Sequence, residues 1–161
     1  MGAGKTTVGR AAADRLGWAF LDSDAQVEAR TGRSVAEIWR AEGESGFRQL
    51  EAEALAAAVT STAESPAVVA AAGGVVLDSR NRALLQRHPP VVWLRARLGT
   101  LAARVGNGQG RPLLADDPRS ALERLMDVRY PLYEQVADVV VDVDDLQAAD
   151  VVDRVVEVAR P

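Results

Sequence analysis

The chain has no cysteine and only one histidine among its 161 residues. Disulfide scaffolds, thiolate nucleophiles and cysteine-based metal sites are therefore excluded. The one histidine, His88, lies in Gln-Arg-His-Pro-Pro, where a helix should end, and reads as a solvated residue of a last helical turn rather than a catalyst. No apolar run reaches the ~18 residues of a membrane span. The opening Met-Gly-Ala-Gly-Lys-Thr-Thr has no apolar signal-peptide core, so a cytoplasmic location is expected. The net charge of -4 argues against nonspecific binding to nucleic acid or anionic membrane, though not against a local basic site. What is present is a hydrophobic share of 48%, enough for one domain with its own core.

Strand-like and helix-like stretches alternate. Helices are expected over 4–16, 24–31, 34–41, 44–59, 79–87, 97–105 and 146–159, with another starting at Asp117-Pro118. There Asp would cap and Pro would occupy the first turn. Residues 18–21, 67–71, 91–94 and 139–141 read as strands. Ala67 to Ala71 is apolar throughout, as in a strand buried on both faces. The pattern is an α/β domain with a parallel sheet covered on both sides.

Such a domain should open with a strand, yet the first element here is a helix behind a glycine loop. Gly2-Ala3-Gly4-Lys5-Thr6 matches the second half of the phosphate-binding pattern G-x-x-x-x-G-K-[ST]. Glycines let backbone N–H groups wrap phosphates, Lys5 supplies positive charge, and the Thr6 hydroxyl can ligate Mg²⁺. The following helix aims its N-terminus at the anion. The first Gly of the pattern would lie two positions before Met1. The expectation is therefore a reading frame that extends upstream by roughly 8–15 residues, a strand plus the start of the loop. A chain starting at Met1 is expected to be insoluble or inactive.

Four more segments, in order and at fitting spacing, resemble the shikimate kinase family. Phe20-Leu21-Asp22-Ser23-Asp24 resembles its Asp-x-Asp, and Phe47-Arg48-Gln49-Leu50-Glu51 its Phe-Arg-x-x-Glu. Arg111-Pro112-Leu113-Leu114 resembles its lid, and Arg129-Tyr130-Pro131-Leu132-Tyr133 its Arg-x-Pro-Leu-Tyr. The resemblance runs over essentially the whole chain. It implies a P-loop kinase fold, with a central parallel sheet of five strands whose first, central strand is missing from these residues. It also implies a single domain over 1–161, with a lid at about 106–117 and substrate-binding helices at about 24–59. The implied reaction is ATP-dependent phosphorylation of shikimate to shikimate 3-phosphate, with Mg²⁺, in aromatic amino-acid biosynthesis. The implied enzyme is a monomer acting on two small molecules, with no nucleic-acid or membrane partner.

The same resemblance assigns roles to residues. Gly2, Ala3, Gly4, Lys5, Thr6, Thr7, Arg104 and Arg111 would bind ATP, with Arg104 near the adenine. Asp24, Arg48, Gly73, Gly74 and Arg129 would bind the acceptor. Thr6 and Asp22 would serve the metal, and Lys5, Asp24 and Arg111 would carry catalysis. The physical chemistry of each segment fits. Asp22 and Asp24 sit at the carboxyl end of a strand, where ligands of open α/β sheets bind. Asp24 can accept or orient a hydroxyl proton, or else cap the next helix. Arg48 and Glu51, three apart on a helix, read by themselves as a surface ion pair of little energetic weight. Taken with Arg129, two guanidinium groups could grip a carboxylate. Pro131 is expected to kink or break its helix and so turn Arg129 inward. The loop Gly106-Asn107-Gly108-Gln109-Gly110-Arg111 would bring a cation over the transferring phosphoryl group.

Two departures from the family stand out. Ala72-Gly73-Gly74 replaces a run of three glycines, and Asp142-Val143-Asp144-Asp145-Leu146 is acidic where an arginine is common. The second puts nucleotide contacts of that stretch in question. Two rival readings remain open: another small-molecule kinase of the gluconate kinase type, and a nucleotide-binding protein that has lost catalysis.

Overall fold

The computed structural model describes residues 1–108, 112–114 and 117–160. Arg111, the expected lid cation, lies outside the described residues, as do its neighbours Gln109 and Gly110.

Helix α1 (Lys5–Leu16) starts directly after Gly4, whose φ of 91° places it in the left-handed region. Strand β1 (Ala19–Asp22) leads into α2 (Ser23–Thr31). Helix α3 (Val35–Ser61) opens with a capping box in which Ser34 and Glu37 satisfy each other's backbone groups. It is interrupted at Gly43, with φ of 69° and ψ of -171°, so the two helices expected on either side of residue 43 are real segments joined end to end.

Strand β2 (Ala67–Ala70) is followed by a 3₁₀ turn at Val75–Leu77 and by α4 (Ser79–Gln86). His88 stands just past α4 with its Nδ1 2.9 Å from the Leu84 carbonyl, the helix-end position expected of it. Strand β3 (Val92–Arg95), α5 (Leu98–Val105), α6 (Pro118–Val136), β4 (Val139–Asp142) and α7 (Ala148–Ala159) complete the order. As expected, Asp117 caps α6, accepting from the Ser120 amide, with Pro118 in the first turn.

The break expected at Pro131 does not occur, although Arg129 is turned inward as expected. Helix α6 runs unbroken through Pro131. The proline removes one intrahelical hydrogen bond, but the helix is held at both sides of it. Arg129 and Val136 are both buried, and Tyr130 and Tyr133 flank the Trp93 ring at 4.9 and 5.4 Å. Tertiary packing outweighs the local penalty, which is ~3 kcal/mol in an unsupported helix.

The strands form two parallel pairs. Ala19–Asp22 pairs in register with Ala67–Ala70, and Val92–Arg95 with Val139–Asp142. Among the described residues β2 pairs only with β1, and β3 only with β4. Between the pairs lies a cavity of about 670 Å³, walled by residues 67–72 on one side and 91–94 on the other.

Three apolar clusters hold the layers. Val8 and Ala12 of α1 pack with Leu101, Leu122, Val141 and Val151. Leu55, Val75, Val76 and Val136 join α3 to α6. Val27, Ile38, Phe47 and Ala54 lock α2 onto α3.

Candidate active site

The site gathers at the carboxyl ends of the strands, where side chains from several elements meet. The loop Met1–Gly4 delivers Lys5 at the first turn of α1. The Thr6 hydroxyl donates to Asp22 Oδ2 at 2.8 Å, across 16 residues of sequence. A hydroxyl and a carboxylate that close, beside a helix N-terminus, suit a hydrated divalent cation that also contacts phosphate oxygens. The two residues proposed for Mg²⁺ therefore fit it.

Asp22 has a second task. Its Oδ1 accepts from the amides of Asp24 and Ala25, at 3.1 and 3.4 Å, making it the N-cap of α2. The cap is thus Asp22, which leaves the Asp24 carboxylate free of that duty. Burial raises the pKa of Asp24 above the usual carboxylate value. The negative charge of Asp22 adds to the rise, while Lys5 and Arg48 oppose it. Asp24 therefore lies within electrostatic reach of both Lys5 and Arg48.

Between the two aspartates sits Ser23, fully buried, whose Oγ accepts from the Ala72 amide at 2.9 Å. This bond ties the end of β1 to the turn Ala72-Gly73-Gly74. Ala72 itself packs into the Leu55 cluster.

Arg48 rests on the faces of Trp39 and Phe47, with its guanidinium carbon 5.6 and 5.5 Å from the ring centroids. Its Nη1 donates to both oxygens of Glu51 at 2.8 and 2.9 Å, and its Nη2 to Glu44 at 3.1 Å. Glu51 is only 2% exposed, so the expectation of a surface pair is corrected. A buried carboxylate that takes Nη1 on both oxygens, with Glu44 on Nη2, fixes the guanidinium's orientation. Burial raises the pKa of Glu51, and Arg48 works against the rise.

Arg129 is 5% exposed, and its Nε has no hydrogen-bond partner among the described residues. The Tyr133 hydroxyl donates to the Gly73 carbonyl at 2.7 Å. Close approach explains both glycines. A Cβ on Gly73 would lie 2.8 Å from the Tyr133 hydroxyl, and one on Gly74 only 1.9 Å from Arg48 Nη1. Arg48, Arg129, Gly73 and Gly74 thus share one wall, and Asp24 lies within electrostatic reach of Arg48.

Arg104 donates toward the Gly2 carbonyl at 3.4 Å and the Val143 carbonyl at 3.5 Å, bridging the phosphate loop to the turn after β4. The acidic run there is absorbed locally. Arg95 donates to Asp142 at 2.5 and 2.8 Å. Asp144 accepts from the Arg97 amide at 3.1 Å, and Asp145 pairs with the Arg97 side chain at 3.1 Å. These carboxylates are paired with arginines and backbone, so they do not present a bare negative surface to a nucleotide. Gly108 packs against the Leu114 carbonyl, and Leu114 is buried in the core.

Sequence reasoning did not single out Ser23, Tyr133 or the burial of Glu51. Each depends on contacts between distant elements.

The sequence profile of the shikimate kinase family matches residues 1–160. The chain belongs to the shikimate kinase family. A curated shikimate kinase of Chromobacterium violaceum is 44% identical over 159 residues, 98% of this chain and 84% of that protein. One from Saccharopolyspora erythraea is 46% identical over 157 residues, covering 97% and 87%. Among solved structures, the Acinetobacter baumannii shikimate kinase in complex with shikimate superimposes with a TM-score of 0.91 at 35% identity, covering 98% of this chain and 87% of that one. The family's P-loop kinase fold accounts for the parallel pairing and the glycine loop before α1. No helix among the described residues is long and apolar enough to cross a membrane.

Proposed function

We propose that this chain is the shikimate kinase of its cell, moving the γ-phosphate of ATP to the 3-hydroxyl of shikimate within aromatic amino-acid biosynthesis. The observation that supports this reading is the shared wall of Arg48, Arg129, Gly73 and Gly74, with Asp24 in electrostatic reach of Arg48. It offers two guanidinium groups to a carboxylate and one carboxylate to a hydroxyl. One small molecule bearing both groups, such as shikimate, satisfies it.

In this reading the Arg129 and Arg48 guanidinium groups bind the acceptor's carboxylate and fix its orientation. The Asp24 carboxylate accepts the proton of the attacking hydroxyl. Gly2, Ala3 and Gly4 wrap the phosphates with backbone N–H groups, and Thr6 and Thr7 follow at the start of α1. Lys5 holds negative charge as it shifts toward the leaving oxygen. Arg104 serves the adenine side. Thr6 and Asp22 would hold Mg²⁺, which when bound neutralises phosphate charge. We further propose one domain over 1–161, a lid at about 106–117 and substrate helices at about 24–59. The protein would act in the cytoplasm as a monomer on two small molecules, with no nucleic-acid or membrane partner.

Shikimate in the presence of ADP and Mg²⁺ should raise the melting temperature. Gluconate, which lacks the rigid ring that presents carboxylate and hydroxyls together, should not. Equal shifts from both acids would count against the assignment.

Two variants probe the wall and the lid. Gly74→Ala pushes a methyl group into a guanidinium already pinned by Glu51 and Glu44. KM for shikimate should rise about tenfold or more while KM for ATP holds, as expected when a hydrogen bond to a charged group is lost. An unchanged shikimate KM would mean that Arg48 does not bind the acceptor. Arg111→Ala should lower kcat by at least about 10²-fold with smaller changes in binding. Normal turnover in that variant would reduce the lid to a connector.

A further inference from the structure

We propose that the Tyr133 hydroxyl is a positioning group for the acceptor site, registering the Arg129 guanidinium to the turn Ala72-Gly73-Gly74 and, through that turn, to Arg48. This inference rests on the phosphotransfer reading and names a residue that sets the spacing of its two arginines.

Three observations carry it. The first is how the hydroxyl uses its bonds. Its one proton goes to the Gly73 carbonyl at 2.7 Å. Its oxygen accepts from the Arg129 side chain. A phenol has a single donor and lone pairs to accept with, so one oxygen joins the guanidinium to the turn. Both groups converge on one point: a Cβ on Gly73 would lie 2.8 Å from the Tyr133 oxygen and 3.5 Å from Arg129 Nη1. Burial raises the Tyr133 pKa, with the Arg129 charge working against the rise, so the hydroxyl keeps the proton it donates. Part of the Arg129 fork is thus taken by Tyr133, while Nε has no partner among the described residues and is left for an acid.

The second is that the turn has no slack. Its start is fixed by the Ala72 amide, which donates to the fully buried Ser23 hydroxyl at 2.9 Å. Its end lies against Arg48, where a Cβ on Gly74 would stand 1.9 Å from Nη1. Arg48 is held in turn by both oxygens of Glu51, at 2.8 and 2.9 Å. A shift at Gly73 is therefore passed on to Arg48. The Tyr133 hydroxyl is the link that adds Arg129 to this series of contacts.

The third is that the ring is held without the hydroxyl. The buried Trp93 ring stands 5.4 Å away and the Tyr130 ring 6.0 Å. The Tyr133 ring also packs on the cluster of Leu55, Val75 and Val136. Tyr133→Phe keeps all of these contacts and removes only the link.

The test is steady-state kinetics and thermal melting of Tyr133→Phe, Arg129→Ala and the double variant. Tyr133→Phe should raise KM for shikimate about 5- to 20-fold, with kcat and KM for ATP within about twofold of the parent. Its melting temperature should stay within about 4 °C of the parent. Because Tyr133 acts mainly through Arg129, the double variant should have a shikimate KM within about threefold of Arg129→Ala alone. An unchanged shikimate KM in Tyr133→Phe would overturn the proposal, and so would effects that multiply in the double variant. Loss of folding in Tyr133→Phe, or a rise in both KM values, would make the hydroxyl part of the scaffold and overturn it equally. Arg129→Ala separates this inference from the reading beneath it. If that variant leaves the shikimate KM unchanged, the acceptor assignment itself fails. If it raises that KM while Tyr133→Phe does not, only the positioning role fails.

Discussion

Asp24→Asn should lower kcat by at least about 10²-fold and leave KM for shikimate within a few-fold of the parent, because the amide keeps the shape but cannot take a proton. The argument rests on the division of labour between two neighbouring carboxylates. Asp22 spends its oxygens on Thr6 and on the amides that open α2. Asp24 carries no such cap, and partial desolvation together with the neighbouring Asp22 charge raises its pKa. A raised pKa makes a carboxylate a better proton acceptor, provided it is still ionised at working pH. The sign follows directly. Activity should increase with pH as Asp24 loses its proton, and the acidic limb of the kcat/KM profile should lie above the usual carboxylate range of about 4. A near-normal rate in Asp24→Asn, or an acidic limb at the ordinary value, would remove Asp24 from proton transfer.

Arg129→Ala should raise KM for shikimate by roughly 10- to 150-fold, the equivalent of about 1.5–3 kcal/mol for a hydrogen bond to a charged partner. KM for ATP should stay close to the parent value. The side chain is buried, yet its Nε lacks a partner among the described residues. A buried donor without an acceptor is costly unless a ligand supplies one, and an acid acceptor does so. Arg129→Lys separates charge from geometry, since an ammonium keeps the charge and loses the fork. It should recover only part of the affinity. Equal weakening of both substrates in Arg129→Ala would place the residue outside the acceptor site.

Much of this site was readable in the sequence because its parts are local. The phosphate loop is one contiguous stretch from Gly2 to Thr6, and Asp22 and Asp24 share one strand end. The separation of helices 34–41 and 44–59 was likewise readable, and the interruption of α3 falls between them at Gly43. The misreadings have a common physical origin. Arg48 and Glu51 look alike on a buried or an exposed helical face, and only the packing of α2, α3 and the turn at Gly74 shows that Glu51 is covered. Pro131 was expected to disturb α6, but aromatic packing against Trp93 keeps the helix whole. The acidity of residues 142–145 looked hostile to a nucleotide until the register of β3 with β4 set Arg95 opposite Asp142. Sequence spacing could not reveal a partner 47 residues away.

The most direct test of the account is acceptor-dependent ADP release with Mg-ATP, on protein whose folding has been checked by near-ultraviolet circular dichroism, with shikimate compared against gluconate. The account predicts kcat/KM for shikimate at least about 10²-fold above that for gluconate, since a site built on paired polar contacts rejects a poorly matched acid strongly. Comparable values for the two acids, or ADP release from folded protein no faster with shikimate than without an acceptor, would contradict it.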